Sequence, residues 1–462
     1  MPIMTPKENF RARTEVRALL RLGGPLIVNN LAIAGMQFAD TVMAGQLGAD
    51  ALAAVAVGGS VWFLAFTFFL GLLMAISPIV ARLHGSGHDS LIGRYTRQGI
   101  YIGIAAGIPL ILIGQVVVEP MLIAIGIDPE FRDMTVGYTG AIMYGAPAIF
   151  VFLALRFTTE GIGHTRPIMF TSIFALVGNV FLNYVFMFGH FGAPALGAVG
   201  CGVASAITMW LIMIALGTHM LFSRHYKPLK IFSRLAPLRL SVLKEIIFLG
   251  VPIAITITAE AGLFSAVAIL MGTRGTSITA AHQIAINFSA TTFMIPLALS
   301  AATTIRVGQL LGAGDVRQAR VSGTIGIMLC AAFMCVSAAF LLVFRDAVVS
   351  LYTDDVAVKG IAISLLLMAA IFQVADGIQI GSAGALRGYK DTRMPMAINT
   401  FAFWVLAFPL AYLAAITYQA PPIYIWGGFI IGLGVAAILL SWRYARLSRA
   451  YICSSLPADP GP

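Results

Sequence analysis

Long apolar stretches recur along the whole chain and alternate with short polar segments. Each stretch has room for the roughly 20 residues that a membrane-spanning helix needs. The pattern predicts twelve helices, at approximately 17–43, 52–80, 96–117, 134–155, 168–188, 197–222, 244–270, 279–304, 322–344, 360–384, 395–416 and 423–442. We therefore expect an all-α integral membrane protein.

Composition and charge support this prediction. The chain is 59% hydrophobic and only 10% charged, whereas soluble domains carry roughly 25% charged residues. If the spans alternate from a cytoplasmic N-terminus, 25 of the 29 lysines and arginines, including Arg387, fall on the cytoplasmic side. This positive-inside bias predicts that both termini are cytoplasmic.

The two halves of the chain repeat each other. A shift of 227 positions aligns Pro25 with Pro252, and it aligns SPIVARLHGSG, from Ser77, with TIRVGQLLGAG, from Thr304. Six spans per half is an even number, so both halves enter the membrane from the same side. The repeats are expected to be parallel lobes related by an axis along the membrane normal, as in many secondary transporters.

The repeat and the charges divide the chain into five segments. We predict a cytoplasmic N-terminal segment (1–16), an N-terminal lobe (17–222), a cytoplasmic linker (223–243), a C-terminal lobe (244–447) and a cytoplasmic tail (448–462). The basic linker is predicted to be a solvated loop that faces lipid headgroups.

Three acidic residues, Asp40, Glu260 and Asp376, lie inside predicted spans, and none of these spans carries a lysine or arginine near its middle. A carboxylate without a partner in the membrane is either protonated or holding a cation. Burial favours the protonated form, and two carboxylates sharing a site suit a monovalent ion. If a cationic substrate and the ion exclude each other, antiport follows without covalent chemistry.

Other polar residues share helix faces with these acids. Gln373 and Gln379 step by three residues from Asp376, and Phe264 lies one turn from Glu260, where it could make a cation–π contact. Asp376 also lies beside a stripe of small residues that would let another helix approach closely. The stripe consists of Gly377, Gly381, Gly384 and Gly388. Glycine spacing of this kind predicts tight helix packing around the carboxylate.

Asn179 and Asn183 form a pair spaced by four residues. Their amides could either form an ion site with Asp40 or hold neighbouring helices together by hydrogen bonds. His282 is predicted to bond a neighbouring helix.

Several long segments resemble multidrug and toxic compound extrusion (MATE) transporters of the bacterial norfloxacin-exporter branch. They include FADTVMAGQLGADALAAVAVG (38–58), GNVFLNYVFMFG (178–189), TAAHQIAINFSATTFMIPLALSAATTIRVGQLLGAG (279–314) and ALRGYKDTRMPM (385–396). The resemblance implies two six-helix lobes that export organic cations and other amphiphilic drugs in exchange for Na⁺ or H⁺. It also implies a monomer in the bacterial inner membrane, with no cofactor and no nucleic-acid partner.

The same resemblance implies roles for particular residues. The cation site of the C-terminal lobe would contain Glu260, Asp376 and Phe264. The remaining predictions are a cation or substrate site in the N-terminal lobe at Asp40, Asn179, Asn183 and Ser205, and substrate contacts at Gln37, Gln283, Asn287 and Asp355.

The identity of the coupling ion stays open at this point. Some relatives carry a tyrosine one turn before the aspartate of the tenth span, where this chain has Phe372, which cannot offer a hydroxyl oxygen. A proton mechanism and a sodium mechanism therefore both remain.

Other classes of protein fit the sequence less well. The loop after the second span lacks the arginine-rich motif of major-facilitator carriers, and no H-E-x-x-H or P-loop motif indicates an enzyme. A flippase or another twelve-helix transporter of a non-drug substrate is the alternative.

Overall fold

The computed structural model describes residues 6–126, 129–232 and 237–455, and it is helical almost throughout. In these residues eleven helices are long and apolar enough to cross a membrane. A further pair, Arg132–Met143 and Ala146–Gly161, is bent by 43° and makes a twelfth span if it is counted as one. The predicted all-α membrane fold is therefore confirmed, with a break in the fourth span that the apolar pattern does not show.

The helices of the first half are joined by short connections. They are α1 (Pro6–Leu47), α2 (Ala49–Met74), α3 (Ile76–Gly85), α4 (Asp89–Val116), α5 (Val118–Ile125), α6 (Pro129–Met143), α7 (Ala146–Gly161), α8 (Arg166–Phe188) and α9 (Ala198–Phe222). Local sequence accounts for many of their ends. For example, α8 has a proline in its first turn and stops at Gly189, whose φ of 77° suits glycine.

The second half contains the longest helices. They are α10 (Leu240–Gly272), α11 (Thr276–Gly312), α12 (Val316–Ser350), α13 (Val356–Gly388), α14 (Arg393–Thr400), α15 (Phe408–Tyr412) and α16 (Pro422–Ser455). Two π-helical segments, Phe401–Ala407 and Leu413–Thr417, flank α15 within the eleventh span.

The chain packs as two compact units. The N-terminal unit contains Val28–Ala254, and the C-terminal unit contains Met1–Ile27 together with Ile255–Pro462. These units differ from the lobes predicted at 17–222 and 244–447, because α1 and α10 each contribute to both units. The start of α1 belongs to the C-terminal unit, where the Glu15 carboxylate accepts hydrogen bonds from Arg306 Nε (2.8 Å) and Nη2 (2.5 Å).

The loops that align across the repeat adopt the same backbone conformation. Gly48 and Gly275 have φ of 123° and 115°, and Gly87 and Gly314 have φ of 73° and 81°. Each pair is related by the 227-residue shift. Because such angles favour glycine, the aligned glycines mark equivalent turns of a duplicated fold.

The glycine stripe of α13 packs against two helices. A Cβ atom on Gly377 would lie 2.9 Å from the Cys330 carbonyl of α12, and one on Gly384 would lie 2.5 Å from the Ser300 carbonyl of α11. The predicted close helix packing is therefore confirmed.

The segment between the lobes is more than a solvated loop. Arg97 Nη1 of α4 donates to the carbonyls of Lys230 (2.6 Å) and Ile231 (2.8 Å). Tyr226 and Leu229 are buried, only 3% and 2% exposed. The exposed side chains of Arg224, Lys227 and Lys230 fit the predicted solvated loop, but the prediction missed that Arg97 ties the segment to α4.

Candidate functional site

Asp376 lies inside the helix packing of the C-terminal unit. Its side chain is 4% exposed, and one carboxylate oxygen, Oδ1, has no hydrogen-bond partner in the described part of the chain. The neighbouring Gly377 and Gly381 admit α12, and this close packing excludes water from the carboxylate. An ionised carboxylate buried without a partner costs several kcal/mol, so this position favours a bound proton or cation.

Glu260 of α10 is the second acid of this site. Phe264, one turn after Glu260 on α10, meets Phe372, one turn before Asp376 on α13, at 6.1 Å between ring centroids, so the two acids lie on helices that pack against each other. Two like charges at short range oppose simultaneous ionisation, and a proton or a cation between them removes the repulsion. The structure thus brings together the two acids that the sequence placed in the C-terminal lobe.

The amide groups beside Asp376 differ in their bonding. Gln373 accepts a hydrogen bond from Ser337 Oγ (2.9 Å) and donates one to Thr292 Oγ1 (3.0 Å), so it joins α13 to α12 and α11. Gln379 is 1% exposed, and neither polar atom of its side chain has a partner among the described residues. Gln379 follows Asp376 by three residues, so the two residues share a face of α13.

Aromatic rings form the other side of the site. Phe264 stacks on Phe429 at 5.1 Å between ring centroids and meets Phe372 edge-on at 6.1 Å. Phe372 is 2% exposed and also packs against Trp426 (6.0 Å). The position where some relatives carry a tyrosine therefore belongs to an apolar cluster, and its ring supplies no oxygen to the carboxylates.

Arg387 lies in the last turn of α13 and is 7% exposed. As predicted, the middle of this span carries no arginine or lysine, but Arg387 adds a buried positive charge near its end. Arg387 follows Asp376 by eleven residues, which is three helical turns plus about 20°. Helical periodicity alone therefore places the two residues on one face of α13.

The N-terminal unit holds its acid differently. Asp40 Oδ1 accepts a hydrogen bond of 2.5 Å from Asn183 Nδ2, which also lies 3.2 Å from Asn179 Oδ1. Asn179 Nδ2 in turn donates to Ser205 Oγ at 3.4 Å. The four residues predicted for this lobe form one connected network, in which amide and hydroxyl groups surround a single carboxylate.

The four predicted substrate-contact residues lie elsewhere. Gln37, Gln283 and Asn287 have exposed side chains, and Asn287 Oδ1 accepts a hydrogen bond from Tyr352 Oη (2.9 Å). Asp355 precedes α13 and accepts from the backbone nitrogens of residues 357 (2.8 Å) and 358 (3.3 Å), so it caps that helix. No hydrogen bond between described residues connects these four to the acidic pair.

The described residues contain no group of three or more His, Cys, Asp or Glu side chains that could hold a metal ion. His282 accepts a hydrogen bond from the Trp426 indole (3.1 Å), which confirms its predicted role between helices. The arrangement at Glu260 and Asp376 suits a single monovalent ion or a proton.

These features belong to a known class of membrane transporter. The MatE family model matches residues 25–185 and 252–413, one match in each half of the duplicated chain. The chain therefore belongs to the MatE family.

Curated relatives match nearly the whole length. Multidrug resistance protein MdtK of Photorhabdus laumondii is 41% identical over 94% of this chain and 95% of its own. NorM of Aliivibrio fischeri is 37% identical over 95% and 96%, and PmpM of Pseudomonas aeruginosa is 38% identical over 98% and 95%.

Solved structures share the fold. The eukaryotic MATE transporter AtDTX14 matches with a TM-score of 0.85 and 21% identity, covering 96% of this chain and 100% of that one. A multidrug resistance MATE family transporter in an outward-facing conformation matches with a TM-score of 0.85 and 20% identity, covering 95% and 96%.

Proposed function

We propose that this chain is a secondary active multidrug antiporter. It exports organic cations and other amphiphilic drugs in exchange for the influx of Na⁺ or H⁺, by alternating access between two lobes. It works in the bacterial inner membrane as a monomer with both termini in the cytoplasm. The names of the curated relatives, all multidrug resistance proteins, support the choice of substrate class.

The carboxylate pair of the C-terminal unit is the observation that carries the proposal. Asp376 has an unpartnered buried oxygen, and Glu260 adds a second negative charge beside it. Such a pair is stable only with a proton or cation bound. A cationic drug that binds at the carboxylate pair compensates the negative charge in place of the ion, so the ion is released. The ion gradient then drives the next exchange.

Transport in proteoliposomes tests this proposal. The purified protein is reconstituted, and uptake of ethidium is measured with an imposed sodium gradient, an imposed pH gradient, or neither. We expect concentrative uptake with one of the two gradients and none without a gradient. Equal uptake under all three conditions would contradict antiport.

A further inference from the structure

The Arg387 side chain runs back along its own helix toward the acidic pair. Its Nε donates to the Ala383 carbonyl (3.3 Å), and its Nη2 donates to Ser300 Oγ (3.0 Å). Ser300 Oγ in turn donates to the carbonyl of Ile380 (2.7 Å), one turn after Asp376. Helical side chains point toward the N-terminus of their helix, which here carries a guanidinium inward and away from the cytoplasmic end.

The packing around this guanidinium is tight. A Cβ atom on Gly384 would approach Ser300 Oγ to an impossible distance, so glycine is required for the hydroxyl to stand between the two helices. Thr304 makes the same kind of contact one turn later, from its hydroxyl to the Gly384 carbonyl (2.7 Å). The α11–α13 contact therefore holds Arg387 in one orientation.

Two ion pairs lie on the helices around α13. Arg306 pairs with Glu15, and Arg443 Nε lies 2.7 Å from Asp391 Oδ2. Cys330 Sγ donates to the Pro296 carbonyl (3.6 Å) and His282 accepts from Trp426, so both are engaged in neutral hydrogen bonds. Asp376 and Arg387 are buried charged side chains of α13, and together with Glu260 they are the charges that we sum at this site.

We propose that Arg387 determines which cations this site accepts. Two carboxylates and one fixed guanidinium sum to one negative charge, so the site is matched to a singly charged cation. The guanidinium contributes its charge to the whole site without touching the substrate, which makes it a positioning residue. This inference rests on the proposed function, since it assumes that substrate and coupling ion use the acidic pair.

Binding of two probe cations tests the inference. Dissociation constants are measured on purified full-length protein for tetraphenylphosphonium, a monocation, and for methyl viologen, a dication. At an effective dielectric constant near 20, one unit charge about 10 Å from a bound cation changes the dissociation constant by about tenfold for each charge of that cation. We expect Arg387→Gln to shift the ratio of the two constants by about tenfold in favour of the dication.

Two variants serve as controls. Arg387→Lys keeps the charge, and we expect it to keep the wild-type ratio. Lys359→Gln removes the same charge near the other end of α13 and should leave the ratio unchanged. An unchanged ratio in Arg387→Gln would overturn the inference, whereas weak and unsaturable binding of both probes to the wild type would overturn the proposed function instead.

A second comparison tests the same charge balance in a background that lacks the Glu260 charge. Glu260→Gln leaves Asp376 and Arg387 with no net charge, and the double variant Glu260→Gln/Arg387→Gln returns the site to one negative charge. We expect the double variant to bind tetraphenylphosphonium about tenfold more tightly than Glu260→Gln alone. Equal or weaker binding by the double variant would show that Arg387 does not take part in the charge balance.

Discussion

The two halves of this molecule share their packing but differ in how they satisfy a buried acid. A Cβ atom on Gly161 would lie 2.7 Å from Val80 Cβ, and one on Gly388 would lie 2.7 Å from Val307 Cβ. Both glycines and both valines are related by the 227-residue shift. This glycine–valine contact is therefore the same in both halves, while the charged residues of the two halves differ.

The difference lies in the partners of the carboxylates. Asp40 receives a direct hydrogen bond from the Asn183 amide, whereas Asp376 keeps an unpartnered oxygen beside a second acid. At the position aligned with Arg387 the N-terminal unit carries Glu160, which accepts a hydrogen bond from Arg156 Nε (2.7 Å). In our proposal the acid of the N-terminal unit is held by a protein amide, while the C-terminal pair holds an exchangeable cation.

The largest effect is expected from neutralising the C-terminal pair. Asp376→Asn or Glu260→Gln removes a negative charge from the ion site. A hydrogen bond to a charged group contributes at least about 1.5 kcal/mol, so its loss should weaken ion binding by more than about tenfold. We therefore expect drug efflux from intact cells to fall by more than about tenfold. The matched control is Asp346→Asn, at an exposed acid, and wild-type efflux in both site variants would refute the assignment.

A smaller effect on efflux is expected in the N-terminal unit. Asp40→Asn keeps a group that can bond Asn183, so we expect efflux to fall by less than about tenfold. Asn183→Ala removes the amide that donates a hydrogen bond to the Asp40 carboxylate. We expect this to lower the free energy of unfolding by about 1–3 kcal/mol. Thermal unfolding and efflux, measured on both variants, separate the two roles. A larger efflux loss in Asp40→Asn than in Asp376→Asn would reverse the comparison.

Equal effects are expected where the packing is repeated. Gly161→Ala and Gly388→Ala each insert a methyl group against a valine of a neighbouring helix, and such overpacking costs about 1–3 kcal/mol. Melting temperatures in the same detergent should fall by similar amounts. Gly178→Ala and Gly360→Ala are the controls, because no heavy atom lies within 4 Å of the added carbon. A fall in only one unit would show that the packing is not equivalent.

The smallest effect is expected at His164, in the loop between α7 and α8. Burial, together with the nearby His225, lowers the pKa of His164 below its ordinary value of 6.5. The unfolded chain therefore binds the proton more readily, and the stability that neutral His164 provides is lost as the pH falls through about 6.5. His164→Gln should reduce the drop in melting temperature between about pH 7.5 and 5.5. An identical drop in both proteins would contradict this account.

Hydropathy was sufficient to predict the helical class and eleven continuous spans, with the twelfth found as a bent pair of helices. The duplication was predicted from residues that align after a shift of 227 positions. The three intramembrane acids could also be found, since charge within an apolar run is conspicuous. The direction in which a side chain points could not be predicted from hydropathy and charge. Arg387 was assigned to a loop because hydropathy ends the tenth span at residue 384, while the helix continues to Gly388.

Packing of the connecting segments was also beyond the sequence pattern. The bend between α6 and α7 lies in a stretch of unbroken apolar character, with Pro147 in the first turn of the second helix as its main local signal. The docking of residues 224–231 on α4 depends on Arg97, more than a hundred residues earlier. Such contacts between distant segments are not encoded in local periodicity.

Release of the coupling ion on drug binding tests the central claim most directly. Purified protein is equilibrated with radioactive sodium, or in weak buffer with a pH indicator, and a saturating organic cation is added. We expect the wild type to release sodium ions or protons in proportion to the drug bound, Asp40→Asn to do the same, and Asp376→Asn to release none from the C-terminal site. Release by Asp376→Asn equal to that of the wild type would contradict the assignment of ion exchange to the carboxylate pair.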